Sequence, residues 1–168
     1  KVIVIEKDHR LIPILQEKFK NEVLVGKLEI IEADILEFDL ENSEISKIPF
    51  KLIANIPYYI TGQIIRKFLE AQHKPVSMTL LVQKEVAERI VARDKKESLL
   101  SLSVKVFGEP KIVRTVGRGA FSPAPNVDSA VINIENISNN SLENVDPKDF
   151  FNVLHSGFAH KRKQLLPN

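Results

Sequence analysis

The chain has 168 residues, 43% of them hydrophobic and 27% charged, with no cysteine and a net charge of +2. That length holds one α/β domain and the start of a second, and the composition is that of an ordinary globular protein. The lack of cysteine excludes disulfides and thiolate metal sites, no apolar run approaches the roughly 18 residues of a membrane helix, and so mild a charge does not by itself argue for nucleic acid.

The sequence begins inside an apolar run and its one methionine is Met78, so a piece of a longer protein is expected, cytoplasmic and without a secretory leader pattern. Residues 2–5 are continuous and β-branched, as in a strand buried on both faces. Asp8 is placed to cap a helix carrying Leu11, Leu15 and Phe19 at intervals of four. Pro13 removes a donor from that helix unless it starts late. Residues 28–31 and 51–54 are the next strands. Thr61 is expected to cap a helix presenting Ile64, Ile65, Phe68 and Leu69. Residues 76–82 follow as a strand, and residues 84–91 as a helix with Lys84–Glu88 and Glu85–Arg89 pairs on its wet side. Residues 98–107 read better as helix than as strand. Residues 112–116 and 130–134 are strands on either side of a Pro-rich stretch, which suits an antiparallel edge. Residues 136–146 are polar and read as a linker. Asp146-Pro147 then opens a helix with Phe150, Phe151, Leu154 and Phe158. Strands alternating with helices imply an α/β domain with a mostly parallel sheet.

Asn55-Ile56-Pro57-Tyr58 follows the strand at residues 51–54, where open α/β sheets place ligand chemistry. The segment suits an amine whose lone pair is delocalised into a ring, such as N6 of adenine. The Asn55 side-chain oxygen and the Ile56 carbonyl, held by Pro57, can accept its two N–H groups and draw the nitrogen towards a tetrahedral shape. Tyr58 offers a flat face for an extruded base. Alone, the segment also reads as a strand ending in a proline turn. Glu6 follows the first strand, where an acid can accept both ribose hydroxyls of a nucleoside-bearing cofactor; it also reads as a solvated carboxylate. Asp34, past residues 28–31, can accept from a cofactor adenine amine with Ile35 on the ring, or can cap a helix. Three polar residues past three successive strand ends are harder to explain by capping alone.

Asn55-Ile56-Pro57-Tyr58, Leu81-Val82-Gln83-Lys84-Glu85-Val86-Ala87-Glu88-Arg89 and Phe121-Ser122-Pro123-Ala124-Pro125-Asn126-Val127-Asp128-Ser129 together resemble the ribosomal RNA adenine dimethyltransferase family. The resemblance covers nearly the whole chain, in order and spacing, and its nearest branch acts on small-subunit RNA. It implies a Rossmann-like class I methyltransferase sheet at residues 1–135 and, at residues 147–168, the start of a small helical RNA-binding domain. It implies S-adenosyl-L-methionine as cofactor, no metal, and a monomer that methylates the N6 amine of adenines, two adjacent ones dimethylated, in small-subunit ribosomal RNA during ribosome maturation. Glu6, Asp34, Ile35 and Asn55 would touch the cofactor. Asn55 and Pro57 would also face the target amine, with Tyr58 and Phe121 on the two faces of its base. Phe121 equally reads as a core anchor for its loop. Arg114 and Arg118, with Lys111 nearby, and the tail Lys161, Arg162 and Lys163 would grip RNA phosphates, though each singly reads as a solvated charge.

The sequence also departs from the family. The Gly-rich loop, the basic segment ahead of it and the central strand are absent, so the strands at residues 2–5 and 51–54 should lack a shared neighbour, and residues 1–168 alone should be inactive. Two other functions compete. One is the same chemistry on large-subunit RNA, as in resistance methyltransferases, or on DNA, where two prolines are usual and Ile56 stands in place of the first. The other is a non-catalytic RNA-binding assembly or transcription factor, against which Asn55, Pro57 and Tyr58 argue.

Overall fold

A computed structural model describes residues 1–139, 142–143 and 145–158, which leaves the expected phosphate-binding run Lys161, Arg162 and Lys163 outside the described residues. The chain divides into two compact units, Lys1–Ser43 and Glu44–Asn168.

The first unit holds β1 (Val2–Glu6), α1 (Leu11–Lys18), α2 (Lys20–Leu24) and β2 (Leu28–Glu32). β1 and β2 form a two-stranded parallel sheet, with Val2 opposite Leu28 and Glu6 opposite Glu32. Helix α1 starts at Leu11, so Pro13 falls in the first turn, where a backbone N–H has no helical acceptor. Asp8 does not cap it. The N-cap position is Arg10, with no side-chain cap bond. Asp8 instead folds onto Arg10, accepting its backbone N–H at 3.0 Å and its guanidinium at 2.6 Å. Beyond α2, Gly26 takes the left-handed conformation (φ +70°) that an L side chain resists, and turns the chain back into β2.

The second unit holds β3 (Lys51–Asn55), α3 (Thr61–Glu70), β4 (Ser77–Gln83), α4 (Lys84–Val91), α5 (Leu99–Lys105), β5 (Glu109–Val116), β6 (Ser129–Glu135) and α6 (Pro147–Phe158). Its sheet order is β3-β4-β6-β5. β3 and β4 are parallel, joined by the α3 crossover, while β6 runs antiparallel to both β4 and β5 and makes the expected antiparallel edge. Strict alternation sends Met78, Leu80 and Val82 of β4 and Ala130, Ile132 and Ile134 of β6 into one core, all 0% exposed. Ile64, Ile65, Phe68 and Leu69 of α3, Ala87 and Ile90 of α4 and Val104 of α5 are buried with them.

Residues 99–105 form a helix because Ser98 and Ser101 close a capping box, each hydroxyl accepting the other's backbone N–H. Thr61, by contrast, caps nothing. A 3-10 turn, Tyr58–Ile60, runs straight into α3, so Thr61 lies inside the helix and its buried Oγ1 has no hydrogen-bond partner among the described residues. The Glu85–Arg89 pair forms at 2.8 Å, but Glu88 takes Arg93 at 2.7 Å instead of Lys84. Ala92, left-handed at φ 53°, ends α4 and folds Arg93 back over the last turn. At the entry to β5, a Cβ on Gly108 would lie 2.8 Å from the Glu135 carbonyl, so only glycine fits. Helix α6 packs on α5, with the Phe107 and Phe151 rings 6.1 Å apart. No helix among the described residues is long and apolar enough to cross a membrane.

Candidate active site

An antiparallel β6 begins at the sheet end where the parallel β3 and β4 finish. Ser129, its first residue, is accordingly paired with Gln83, the last of β4. The loop that leads into β6 therefore arrives beside Asn55, the last residue of β3. Asn55, Ile56, Pro57, Tyr58, Phe121, Pro123 and Pro125 together line an open recess of about 320 Å³. The structure thus brings together all four residues expected to handle the target base: Asn55, Pro57, Tyr58 and Phe121.

Each is held differently. Ile56 is buried (6% exposed) and pins the segment to the core, while Pro57 at φ −56°, ψ 134° turns the chain out into the Tyr58–Ile60 turn. The Asn55 side chain is exposed and makes no hydrogen bond among the described residues, so both ends of its amide remain open to a ligand. Tyr58 is half-buried, and its hydroxyl lies 2.7 Å from Ser129 Oγ. Phe121, also half-buried, follows a 3-10 turn at Arg118–Ala120, and its N–H donates to the Arg118 carbonyl at 3.3 Å. The Arg118 N–H in turn donates to Asp128 Oδ1 at 3.0 Å, tying the loop across its base. Asp128 and Ser129 stood in the sequence motif without a role. A hydroxyl at the start of an interior strand was the available sign.

Arg114 and Arg118 are exposed, and neither guanidinium has an ion-pair partner among the described residues. Lys111 is different, because its ammonium is taken by Glu135 at 2.6 Å.

In the first unit, Glu6 ends β1 and Asp34 lies two residues past β2, as expected. Glu6 Oε1 accepts the Asp8 N–H at 2.8 Å, and its second oxygen carries no hydrogen bond among the described residues. Asp34 closes its own turn, Oδ1 accepting the Leu36 N–H at 2.9 Å, while Oδ2 accepts the Lys7 ammonium at 2.6 Å. Lys7 had no assigned role; it bridges the two strand-end turns. Each carboxylate oxygen has two acceptor sites, so the set fits the hydroxyl and amine donors of a nucleoside. Ile35, half-buried beside Asp34, adds an apolar flank.

The sequence matches the ribosomal RNA adenine dimethylase family over residues 1–168. The ribosomal RNA small subunit methyltransferase A of Dehalococcoides mccartyi is 44% identical over 165 residues, covering 98% of this chain and 56% of that protein. The Lactococcus lactis protein of the same name is 38% identical over 174 residues, covering 99% of this chain and 58% of its own length. The chain thus spans a little over half the length of these relatives. Among solved structures, a dimethyladenosine transferase from Plasmodium falciparum superposes with a TM-score of 0.79 at 30% identity, over 98% of this chain and 57% of that one. The 23S rRNA methyltransferase ErmE gives 0.80 at 26% identity, over 98% of this chain and 64% of its own. The class I methyltransferase-like α/β fold is common to all three.

Proposed function

Because the chain belongs to the ribosomal RNA adenine dimethylase family, we propose that the whole protein transfers methyl groups from S-adenosyl-L-methionine to the N6 amine of adenines in small-subunit ribosomal RNA. Two adjacent adenines, each dimethylated, are the expected product. The recess at the end of β3 carries this proposal. Tyr58 and Phe121 are the two flat faces of a slot for an extruded adenine. The Asn55 oxygen and the Ile56 carbonyl accept the N6 hydrogens, which localises the lone pair on the nitrogen. When bound, S-adenosyl-L-methionine supplies a methyl group on a sulfonium that departs as a neutral thioether, so no general acid is needed. The proton shed by the alkylated nitrogen passes to solvent. Glu6, Asp34 and Ile35 receive the cofactor's nucleoside, and Asn55 receives the target amine. Arg114, Arg118 and the tail Lys161, Arg162 and Lys163 contact RNA phosphates, which positions the protein without choosing a base. The methyltransferase domain spans residues 1–135, and residues 147–168 begin a helical RNA-binding domain. The enzyme acts as a cytoplasmic monomer.

Large-subunit RNA is the competing substrate, favoured by the TM-score of 0.80 to an enzyme of that kind. The 44% identity to a small-subunit enzyme, against 26% to the large-subunit one, supports the first choice. The full protein, given radiolabelled cofactor and both RNAs, is expected to place label in small-subunit RNA as dimethyladenosine. Label confined to large-subunit RNA would transfer the function to the second substrate. Asn55→Ala should cost roughly 10²–10³ in kcat, about 2.7–4 kcal/mol of barrier, by analogy with removing one preorganised oxyanion-hole donor. Unchanged turnover with an unchanged circular dichroism spectrum would remove Asn55 from the mechanism.

A further inference from the structure

We propose that Asp128 and Ser129 form a bracket that sets the gap between the two aromatic faces of the recess, Ser129 holding Tyr58 and Asp128 holding the loop of Phe121. This rests on the target-adenine reading of the recess.

Ser129 is a fixed post. It opens β6, an interior strand, and is paired with Gln83 on one side and Val116 on the other. It is 0% exposed, and its hydroxyl has one torsion to choose. The 2.7 Å separation from the Tyr58 hydroxyl is the ordinary length of an O–H···O bond. The tyrosine hydroxyl lies on the axis of the ring's own rotation, so a bond at this far end fixes the first side-chain torsion and with it where the ring stands. Tyr58 stands three residues after Asn55 with Pro57 between them, so steadying the ring also steadies the turn that aims the Asn55 amide.

Asp128, one residue earlier, does the same for the opposite face. Its carbonyl accepts the N–H of Lys84, the first residue of α4, at 3.0 Å. Its carboxylate accepts the N–H of Arg118 at 3.0 Å, at the start of the turn that delivers Phe121. The loop is thereby closed at its base and fastened to the end of the sheet. Both faces of the slot hang from adjacent residues of one backbone, and their spacing is a property of that dipeptide. A buried serine that merely satisfied its own hydroxyl would give local stability but no coupling between the faces.

The test uses the full protein with a small-subunit RNA fragment carrying 2-aminopurine in place of a target adenine. That base lacks the N6 amine, so its quenching reports stacking apart from chemistry. Ser129→Ala and Tyr58→Phe should each lower kcat about tenfold, the scale of one neutral hydrogen bond, with little change in KM for RNA and a weaker quench. The double variant should be no worse than either single one, because both remove the same bond. Asp128→Ala should weaken the quench further and combine with Ser129→Ala to less than the product of the two effects, because both set one gap, and Asp128→Asn, which keeps an acceptor oxygen, should recover most of that loss. In the RNA-free protein, Ser129→Ala should shift the Tyr58 Cζ resonance. An unmoved resonance with wild-type kcat, or Ser129 and Tyr58 effects that multiply, overturns the bracket. A shifted resonance in an enzyme that methylates no adenine leaves the bracket standing and overturns the reading of the recess.

Discussion

In the Glu44–Asn168 unit, β4 and β6 each have a strand on both sides and helices packed on the sheet, and seven of their side chains are 0% exposed. In the Lys1–Ser43 unit, β1 and β2 are just as apolar, yet none of their residues is buried, and Val2 is 59% exposed. Among the described residues of that unit, Leu40 alone is a buried hydrophobic residue. The runs Val2-Ile3-Val4-Ile5 and Ile30-Ile31 state a capacity for burial, and the neighbouring strands and helices decide whether it is realised. Among the described residues, β1 pairs only with β2, and β3 only with β4, so each presents one edge without a strand partner there. Ile53, at the middle of β3, is 78% exposed.

The largest expected effect follows from that contrast. Leu80→Ala opens a cavity in a fully enclosed core and should cost about 2–5 kcal/mol. Ile5→Ala, on a half-buried strand, should cost roughly 1 kcal/mol, in proportion to the area it covers. Urea unfolding of both variants measures the difference. Equal losses would break the comparison and mean that β1 is as enclosed as β4.

The same contrast explains what was legible in the sequence. The strands β4 and β6 and the apolar face of α3, with Ile64, Ile65, Phe68 and Leu69, were readable in advance because the core they report exists. The separation of the strands into two sheets was not legible in local pattern, because a continuous apolar run reads the same whether or not it finds a second neighbour. Asp8 and Thr61 were misread as caps, since their residue types favour that position and only the start of each helix decides it. In the recess, Asn55, Pro57 and Tyr58 were readable because they lie in a short motif at the end of β3, and Phe121 only through the family resemblance of its loop. The bond from Tyr58 to Ser129 was not. It joins residues 71 positions apart and depends on β6 lying antiparallel beside β4.

Charge sharpens the comparison at the next scale. Lys1, Lys7 and Arg10 of the first unit are all ion-paired, to Glu29, Asp34 and Asp8. Arg114 and Arg118 of the second unit have no such partner among the described residues. Cations already neutralised release few counterions, so Arg114 and Arg118 should add more to the salt dependence of RNA binding than Lys1, Lys7 or Arg10. Replacing both with Ala should flatten the slope of log K against log salt by up to about 1.4, at ~0.7 per single-strand contact. Lys111→Ala, whose ammonium is held by Glu135, should change it less. Equal slopes for all three would make the arginines solvated charges, leaving the tail lysines and arginine to grip RNA.

The smallest effect tests whether surface electrostatics separates the two units. The side-chain and backbone hydrogen bonds from Arg10 hold the Asp8 carboxyl down at about 2. In the other unit, the Lys105 ammonium and then the Ser101 hydroxyl hold Glu97 below its ordinary value. A carboxylate with a folded pKa below its unfolded one adds stability above the unfolded value, about 3.9 for Asp, and loses it as pH falls through the folded one. Asp8 should therefore contribute fully above pH ~4 and lose its contribution towards pH 2. Both carboxylates face water, so screening keeps the contribution small. Carboxyl NMR should give an Asp8 midpoint near 2 that returns to the ordinary range in Arg10→Ala, with the denaturation midpoint at pH 7 hardly moved. A similar result for Glu97 in Lys105→Ala would leave core enclosure as the difference between the units. A large loss of stability in Arg10→Ala alone would reverse that conclusion, because the thinly cored unit would then depend on its surface pair where the other depends on Leu80 and Ile132.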